Sequence, residues 1–343
     1  MATTSTWRDI KRNSKGIVRV PITTDLNGGE VCLPVHVLRG SAEGPTLTLL
    51  ATTHGDQWFN IEAMRRVVAR ADTHDLRGTV LVVPVANPVA FNQLVRCMPD
   101  RSDAPDLQRV FPGGNNWLSE QIAQTIVAQV LSRTDYLIDF HNCPWGASLM
   151  MVVYGIDLPN AEVIQQSRLM ARAFGCPSVN KARLLTVFPG PKAVLSHAAA
   201  VLGIPSIAAE IGGPGFSPAL EESWIESNVT GVWNVMIHLG MLRGSLKLPS
   251  RCLYWERMVM VTPRVGGLLE PRLGADSLME EVEAGQLLGR VLSPFTFKEL
   301  EELKAPVDGA IIVAPRAYPA RPGDWSYVLA DTGPEVSQWE DLS

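Results

Sequence analysis

From residue 46 to about residue 240 the chain alternates short apolar, β-branched runs with longer segments of helical period. That alternation leaves few folds open: it is the pattern of a mostly parallel sheet covered by helices. The strand candidates are Thr46–Thr53, Thr79–Ala86, Tyr136–Phe140, Ser148–Tyr154 and Ser206–Glu210. Between them, Asn60–Ala71 places Ile61, Met64, Val67 and Val68 at the spacing of one buried helical face, and Asn116–Ser132 does the same with Leu118, Ile122, Ile126 and Val130. Asn116 is placed to cap the second helix. After Gly240 the pattern changes: residues 244–343 are dense in Gly and Pro, with short runs such as Ala310–Val313 and Tyr327–Ala330 between turn signals. Near the N-terminus, Gly16–Val20 and Val31–Leu38 flank the turn signal Asn27-Gly28-Gly29, which predicts an edge hairpin. The expected architecture is α/β, a mixed, mostly parallel sheet flanked by helices over residues 1–243. A small C-terminal β domain over 244–343 is expected to shape the active-site entrance.

Length and charge narrow the partner class. At 343 residues and 46% hydrophobic content the chain can bury one large core plus a smaller module. A net charge of -5 without a clustered Lys/Arg run leaves no electrostatic footprint for nucleic acid or an anionic membrane, so a small-molecule substrate is expected. The N-terminal segment lacks an apolar stretch of signal-peptide length, and no run approaches the ~20 apolar residues of a membrane span. A cytoplasmic protein is expected, with room for a homo-oligomer. The five cysteines are scattered and never spaced as Cys-x-x-Cys, which argues against both a disulfide framework and a thiolate zinc site.

In open α/β sheets ligands bind beyond the carboxyl ends of the strands, so polar residues directly after an apolar run are the first candidates for chemistry. Three places qualify. In Thr53-His54-Gly55-Asp56-Gln57 a buried run ends abruptly, and the spacing of His54 and Gln57 lets two side chains of one tight turn converge on a single ion. In Asp139-Phe140-His141-Asn142 the strand alternation puts Asp139 and His141 on one face, so Asp139 can orient the imidazole. In Glu210-Ile211-Gly212-Gly213 a strand-end carboxylate precedes a glycine-rich turn. Taken singly, each has an ordinary structural explanation. Together they describe an open metal site with a carboxylate beside it, the requirement for polarising a carbonyl and activating water. Arg96 and Arg109 lie in a Pro-rich loop after a strand, a setting suited to a substrate carboxylate or a developing oxyanion.

The order of motifs resembles the succinylglutamate desuccinylase/aspartoacylase family, a branch of the zinc carboxypeptidase-like fold. The matching segments are His54-Gly55-Asp56-Gln57, Asn87-Pro88-Val89-Ala90-Phe91, Arg96-Cys97-Met98-Pro99, Asp106-Leu107-Gln108-Arg109-Val110-Phe111-Pro112-Gly113, Asp139-Phe140-His141 and Glu210-Ile211-Gly212-Gly213. The resemblance covers residues from about 30 to 335. It implies one Zn2+ per chain held by His54 and His141, with Gln57 in the position of a third ligand. It also implies Glu210 as general base toward the activated water and Arg96 as the residue that polarises the scissile carbonyl. Arg101 is a weaker alternative to Arg96, because the Arg-x-x-Pro match belongs to Arg96. Arg109 would bind the substrate's carboxylate, with Gln108 and Asn142 as further substrate contacts. The implied reaction is hydrolysis of the amide bond of a small N-acyl compound.

Two positions depart from the family pattern: Gln57 replaces a ligand Glu, and Gln108 replaces the Asn of Asn-Arg. A neutral amide oxygen is a weaker ligand than a carboxylate and leaves the site one negative charge short. Asp56 is the alternative donor, although its side chain should point away from that of Gln57. The longer Gln108 would reshape the pocket. Two competing readings follow: a catalytically silent binding homologue that has lost a ligand, and a carboxypeptidase.

Overall fold

The computed structural model describes residues 2–4, 7–25, 27–99, 105–143, 146–187 and 190–342, so Arg101 lies outside the described residues. Besides the short strands Ala2–Thr4 and Ser178–Ala182, the described first part of the chain holds β1 (Ser14–Thr24), β2 (Glu30–Arg39), β3 (Ala42–Ala51), β4 (Arg77–Val83), β5 (Tyr136–His141), β6 (Ala147–Gly155) and β7 (Ser206–Gly212). Their spatial order is β1-β2-β4-β3-β5-β7-β6. The centre is parallel, with β3 between β4 and β5 and β5 paired to β7, while β6 joins β7 antiparallel and the β1–β2 hairpin closes the other side onto β4. The turn between β1 and β2 is closed by Gly28 N–H to Asp25 O at 2.9 Å, with Gly28 at φ +76°.

Both faces of this sheet are covered, which is why the central strands read as continuous apolar runs rather than alternating ones. Leu47, Leu49 and Ala51 of β3, Ile138 and Phe140 of β5, and Ile207 and Ala209 of β7 face helices α1 (Ile61–Arg70), α3 (Ala161–Phe174) and α4 (Pro218–His238). Leu50, Leu81 and Leu137 face the opposite way, against α2 (Leu118–Thr125) and the short helix Val194–Ala200. Helix α3 begins where the Asn160 carboxamide accepts from the Glu162 N–H at 2.9 Å, and it ends at Gly175 in the left-handed region. Helix α4 begins at the pair Ser217-Pro218, a hydroxyl cap followed by a residue pre-set for the first turn.

The expected helix over Asn116–Ser132 is present but differs at both ends. Its cap position is Trp117, which makes no side-chain cap bond, and the Asn116 backbone N–H donates to the Glu120 carboxylate at 3.2 Å instead. After Thr125 the coil widens to a π turn over Ile126–Val130 and then tightens over Leu131–Arg133.

From Arg251 onward the described chain is β-rich and divides between the first sheet and a sheet of its own. β8 (Arg251–Trp255) pairs in parallel with the strand Ser178–Ala182 and antiparallel with β11 (Ser337–Asp341). β9 (Gly309–Pro315) pairs with β6 through Val313–Leu149, Ala314–Ser148 and Pro315–Ala147, and on its other side with β10 (Tyr327–Asp331). A second sheet of four strands stands beside these, built from Gly267–Pro271, Leu287–Leu292, Glu299–Lys304 and Tyr318–Ala320. Among the described residues no helix is long and apolar enough to cross a membrane.

Helices α3 and α4 meet where Gly231 lets them approach: a Cβ there would lie 2.3 Å from the Phe174 ring. Gly231→Ala is therefore expected to lower stability by about 1 kcal/mol, because an overpacking cost of about 2 kcal/mol outweighs roughly 1 kcal/mol of helix propensity gained. Urea unfolding measures it, and an unchanged or raised midpoint would contradict this packing.

Candidate active site

The parallel strands β3, β5 and β7 end on one rim, and the candidate residues gather there. In β5, Leu137, Asp139 and His141 share a face by alternation, and Glu210 of β7 stands directly across the ladder from His141 on that same face. After β3 the chain leaves the strand sharply. Thr52 has φ +57°, a left-handed conformation that is an outlier for a β-branched residue and costs on the order of 1–3 kcal/mol. It is wholly buried and held by the Asn87 N–H on its carbonyl at 3.1 Å. The turn that follows carries His54 and Gln57, closed by Gln57 N–H to His54 O at 3.0 Å. Gly55 is required here: a Cβ would lie 2.2 Å from the carbonyl carbon of Ala90 in the short helix Pro88–Asn92. The same glycine's N–H donates to the Arg96 carbonyl at 3.4 Å, tying the arginine loop to the turn.

The two imidazoles face one another with ring centroids 5.2 Å apart. Their Nδ1 atoms converge on a single atom, Gln57 Oε1, at 3.0 Å from His54 and 2.7 Å from His141. Their Nε2 atoms each meet a carboxylate: Asp106 Oδ1 lies 3.0 Å from His54, and Asp139 Oδ2 lies 3.0 Å from His141. A carboxylate only accepts hydrogen bonds, so each Nε2 carries a proton, and in its neutral form each ring presents a bare Nδ1. With the Gln57 oxygen inward, three lone-pair donors then meet, the N,N,O set that suits zinc. Turned over, the same amide would offer its –NH2 to both nitrogens. The residues therefore fit a divalent cation, and the choice between the two amide orientations is the choice between a loaded and an empty cluster. Among the described residues no group of three or more His, Cys, Asp or Glu side chains could hold a metal, because the third donor in this cluster is an amide.

The electrostatics follow the same contacts. Burial lowers His54 from the ordinary histidine value, and the Asp106 hydrogen bond only partly opposes it. Burial would lift the Asp106 carboxyl, but the His54 contact, the Gln108 backbone N–H and Arg96 hold it well below the usual carboxylate range. For His141, burial pulls downward, yet the Asp139 carboxylate and the charge of Glu210 outweigh it and leave the ring raised. Burial raises Glu210 above the ordinary glutamate value against the opposing charges of His141 and Arg96.

The remaining expected site residues fall into two groups. Arg96 is half exposed and points toward the cluster, with a guanidinium nitrogen 3.8 Å from Asp106 Oδ2. Arg109 is exposed at the end of the turn Leu107–Arg109 and donates to the Gln108 carbonyl at 2.9 Å. Gln108 and Asn142 are enclosed by protein instead. Gln108 is 5% exposed with its amide engaged on Asp139, His141 and Val194. Asn142 is 0% exposed and donates to the Cys143 carbonyl at 2.7 Å, so neither offers surface to a substrate in this arrangement. Asp56 is partly buried and makes no hydrogen bond to the imidazoles, and its buried Oδ1 has no hydrogen-bond partner. Cys143 packs with Leu149, Val313 and Val328, and burial pushes its thiol far up, an inert role. Two contributors carried no role in the sequence reading: Asp106 as the partner of His54, and Asn60, whose side chain donates to the His141 carbonyl at 2.8 Å while accepting from Asn228.

A mixed α/β sheet whose parallel strand ends present two imidazoles, an amide and a carboxylate defines a hydrolase-type site. Residues 43–239 match the succinylglutamate desuccinylase/aspartoacylase catalytic domain, and the chain belongs to that family, whose deacylases are hydrolases acting on carbon–nitrogen bonds. It is 28% identical over 327 residues to the N-alpha-acetyl-L-2,4-diaminobutyric acid deacetylase of Halomonas elongata, covering 92% of this chain and 91% of the relative. The crystal structure of a succinylglutamate desuccinylase from Silicibacter sp. TM1040 superposes with a TM-score of 0.79 at 24% identity, over 94% of this chain and 97% of that one. The product-bound ectoine utilization protein EutE (DoeB) from Ruegeria pomeroyi gives 0.78 at 25% identity, over 94% and 98%.

The raised Glu210 carboxyl sets a sign for stability against pH. A carboxyl that binds its proton more tightly in the folded state costs nothing below the unfolded value of about 4.3, and it destabilises progressively as pH rises from there through the folded value. Metal-free Glu210→Gln is thus expected to match the wild type near pH 4 and to be the more stable protein at pH 7. Denaturant titrations at both pH values measure this, and a variant less stable than wild type at pH 7 would refute it.

Proposed function

We propose that the chain is a metal-dependent deacylase that hydrolyses the amide bond of a small, carboxylate-bearing N-acyl amino acid, releasing a carboxylate and an amine. The observation that carries the reading is the convergence of two imidazole Nδ1 atoms on one amide oxygen, with both Nε2 atoms held by carboxylates and Glu210 across the ladder from His141. His54, His141 and Gln57 would hold one Zn2+. When bound, zinc supplies a Lewis acid that polarises a carbonyl and makes water acidic near neutral pH. Glu210, raised toward the working pH by burial, takes the proton of the attacking water and returns it to the leaving nitrogen. Arg96 offers its guanidinium to the developing oxyanion, and Arg109 supplies the fixed charge for a substrate carboxylate. The Halomonas elongata relative makes amino acids carrying a short acyl group on the α-nitrogen the first class to test.

In this proposal residues 1–243 form the catalytic part and residues 244–343 shape the entrance. Support comes from the contacts near the rim: the Arg316 N–H donates to the Gly146 carbonyl at 2.8 Å, and the Tyr318 ring lies so close that a Cβ on Gly146 would be 3.3 Å from it.

Elemental analysis of the purified protein and an assay on N-acetyl amino acids test the proposal together. Glu210→Gln is expected to lose roughly 10²–10⁴-fold in rate, the usual size of a lost general base, with metal content retained. Gln57→Glu is expected to bind metal more tightly, because it adds the missing charge, and to make that metal a weaker acid. Full activity in metal-free protein, or in Glu210→Gln, would overturn the assignment.

A further inference from the structure

Gln108 stands where the family pattern has a shorter amide, and its side chain turns inward. Its Oε1 accepts the N–H of Val194, the first residue of the helix Val194–Ala200, at 2.9 Å. A backbone N–H can only donate, so this contact fixes the amide's orientation and obliges Nε2 to face the other way. There Nε2 lies 3.1 Å from Asp139 Oδ2 and 3.1 Å from His141 Nε2, two atoms that are themselves 3.0 Å apart. His141 already uses its Nε2–H on Asp139, so the Gln108 N–H joins it as a second donor to the same carboxylate oxygen. The other oxygen, Asp139 Oδ1, is buried with no partner. The orientation of the Asp139 carboxylate, and with it the His141 ring, is thus set from outside the strand by an amide anchored on a neighbouring helix.

We infer that Gln108 is a positioning residue for the Asp139–His141 pair, tying it to the first turn of helix Val194–Ala200, and that this side chain has been withdrawn from substrate recognition. The inference rests on the reading of His141 as a metal donor, since aiming its ring matters for that role. Asparagine, shorter by one C–C bond of about 1.5 Å, could not span from the Val194 N–H to Asp139. The extra methylene is what lets this amide reach across as an internal brace. Recognition of a substrate carboxylate then falls to guanidinium groups, without an amide from this position.

The test separates positioning from substrate contact. Gln108→Leu is expected to weaken zinc binding by roughly 10–100-fold in chelator competition, the usual effect of losing a group that orients a ligand. The KM for an N-acetyl amino acid should stay within about 3-fold of wild type, since no ground-state contact is removed. Gln108→Glu should be worse than Gln108→Leu for zinc, because it sets a carboxylate oxygen against Asp139. Val194→Pro removes the anchoring N–H at a helix position that tolerates proline while exchanging one buried apolar side chain for another, and it should weaken zinc in the same direction. It also serves if Gln108→Leu does not fold. In metal-free protein, imidazole 15N NMR should show the His141 resonances shifted by Gln108→Leu or Val194→Pro and those of His54 unmoved. Unchanged zinc affinity and unchanged His141 resonances, with KM raised tenfold or more, would make Gln108 a substrate contact and overturn the inference. If the wild type bound no zinc, the ligand reading would fall by itself, while the metal-free NMR comparison would still decide the brace.

Discussion

The site depends on one piece of backbone pairing: the parallel register in which β5 lies between β3 and β7, with Leu50 opposite Asp139 and His141 opposite Glu210. Because side chains alternate along a strand, that register decides which residues reach the rim and on which face they arrive. A slip of one residue would turn His141 and Asp139 into the helix-packed core and bring Ile138 and Phe140 to the cluster. The apolar residues on the two faces therefore specify the polar geometry indirectly. Leu49, Phe140 and Ala209 want one side, and the alternating Asp139, His141 and Glu210 are left with the other.

Much of this was legible in the sequence because it follows from periodicity. The apolar runs marked the strands of the parallel centre, and abrupt polar residues after them marked the rim. The ends were less legible. Thr52 and Thr53 extend an apolar run yet lie beyond the last strand residue, Ala51, because the backbone turns left-handed there to present His54. Asn116 offered a capping signal that the fold did not use, since Glu120 reaches back to its backbone. Helix α4 carries buried residues from Trp224 to Met236 around much of its circumference, so its pattern lacked the single stripe that period-reading seeks. The inward turns of Gln108 and Asn142 could not have been foreseen, because in a loop or at a strand end no period fixes which way a side chain points. Asp106 had a readable signal in retrospect: it caps the turn Leu107–Arg109, accepting from the Gln108 N–H at 2.9 Å on the same Oδ1 that meets His54, and a carboxylate oxygen has lone pairs for two donors.

In the proposed metal site, the charge arrangement would compensate in part for a neutral third donor at Gln57. Asp106 and Asp139 stand behind the two imidazoles, and hydrogen bonding through a ring passes some of their negative character to the far nitrogen. Arg96 opposes this from the open side, where its field reaches both imidazoles, Asp106 and Glu210. The cluster is consequently built with its anionic groups behind the donors and its cationic group in front.

The pairing of β9 to β6 has a mechanical consequence. The last third of the chain is stitched into the same sheet that carries the rim, through Val313, Ala314 and Pro315. A hinge opening between the two regions would have to break those ladder bonds. Under the proposed function, substrate and product would exchange at the rim without such a hinge.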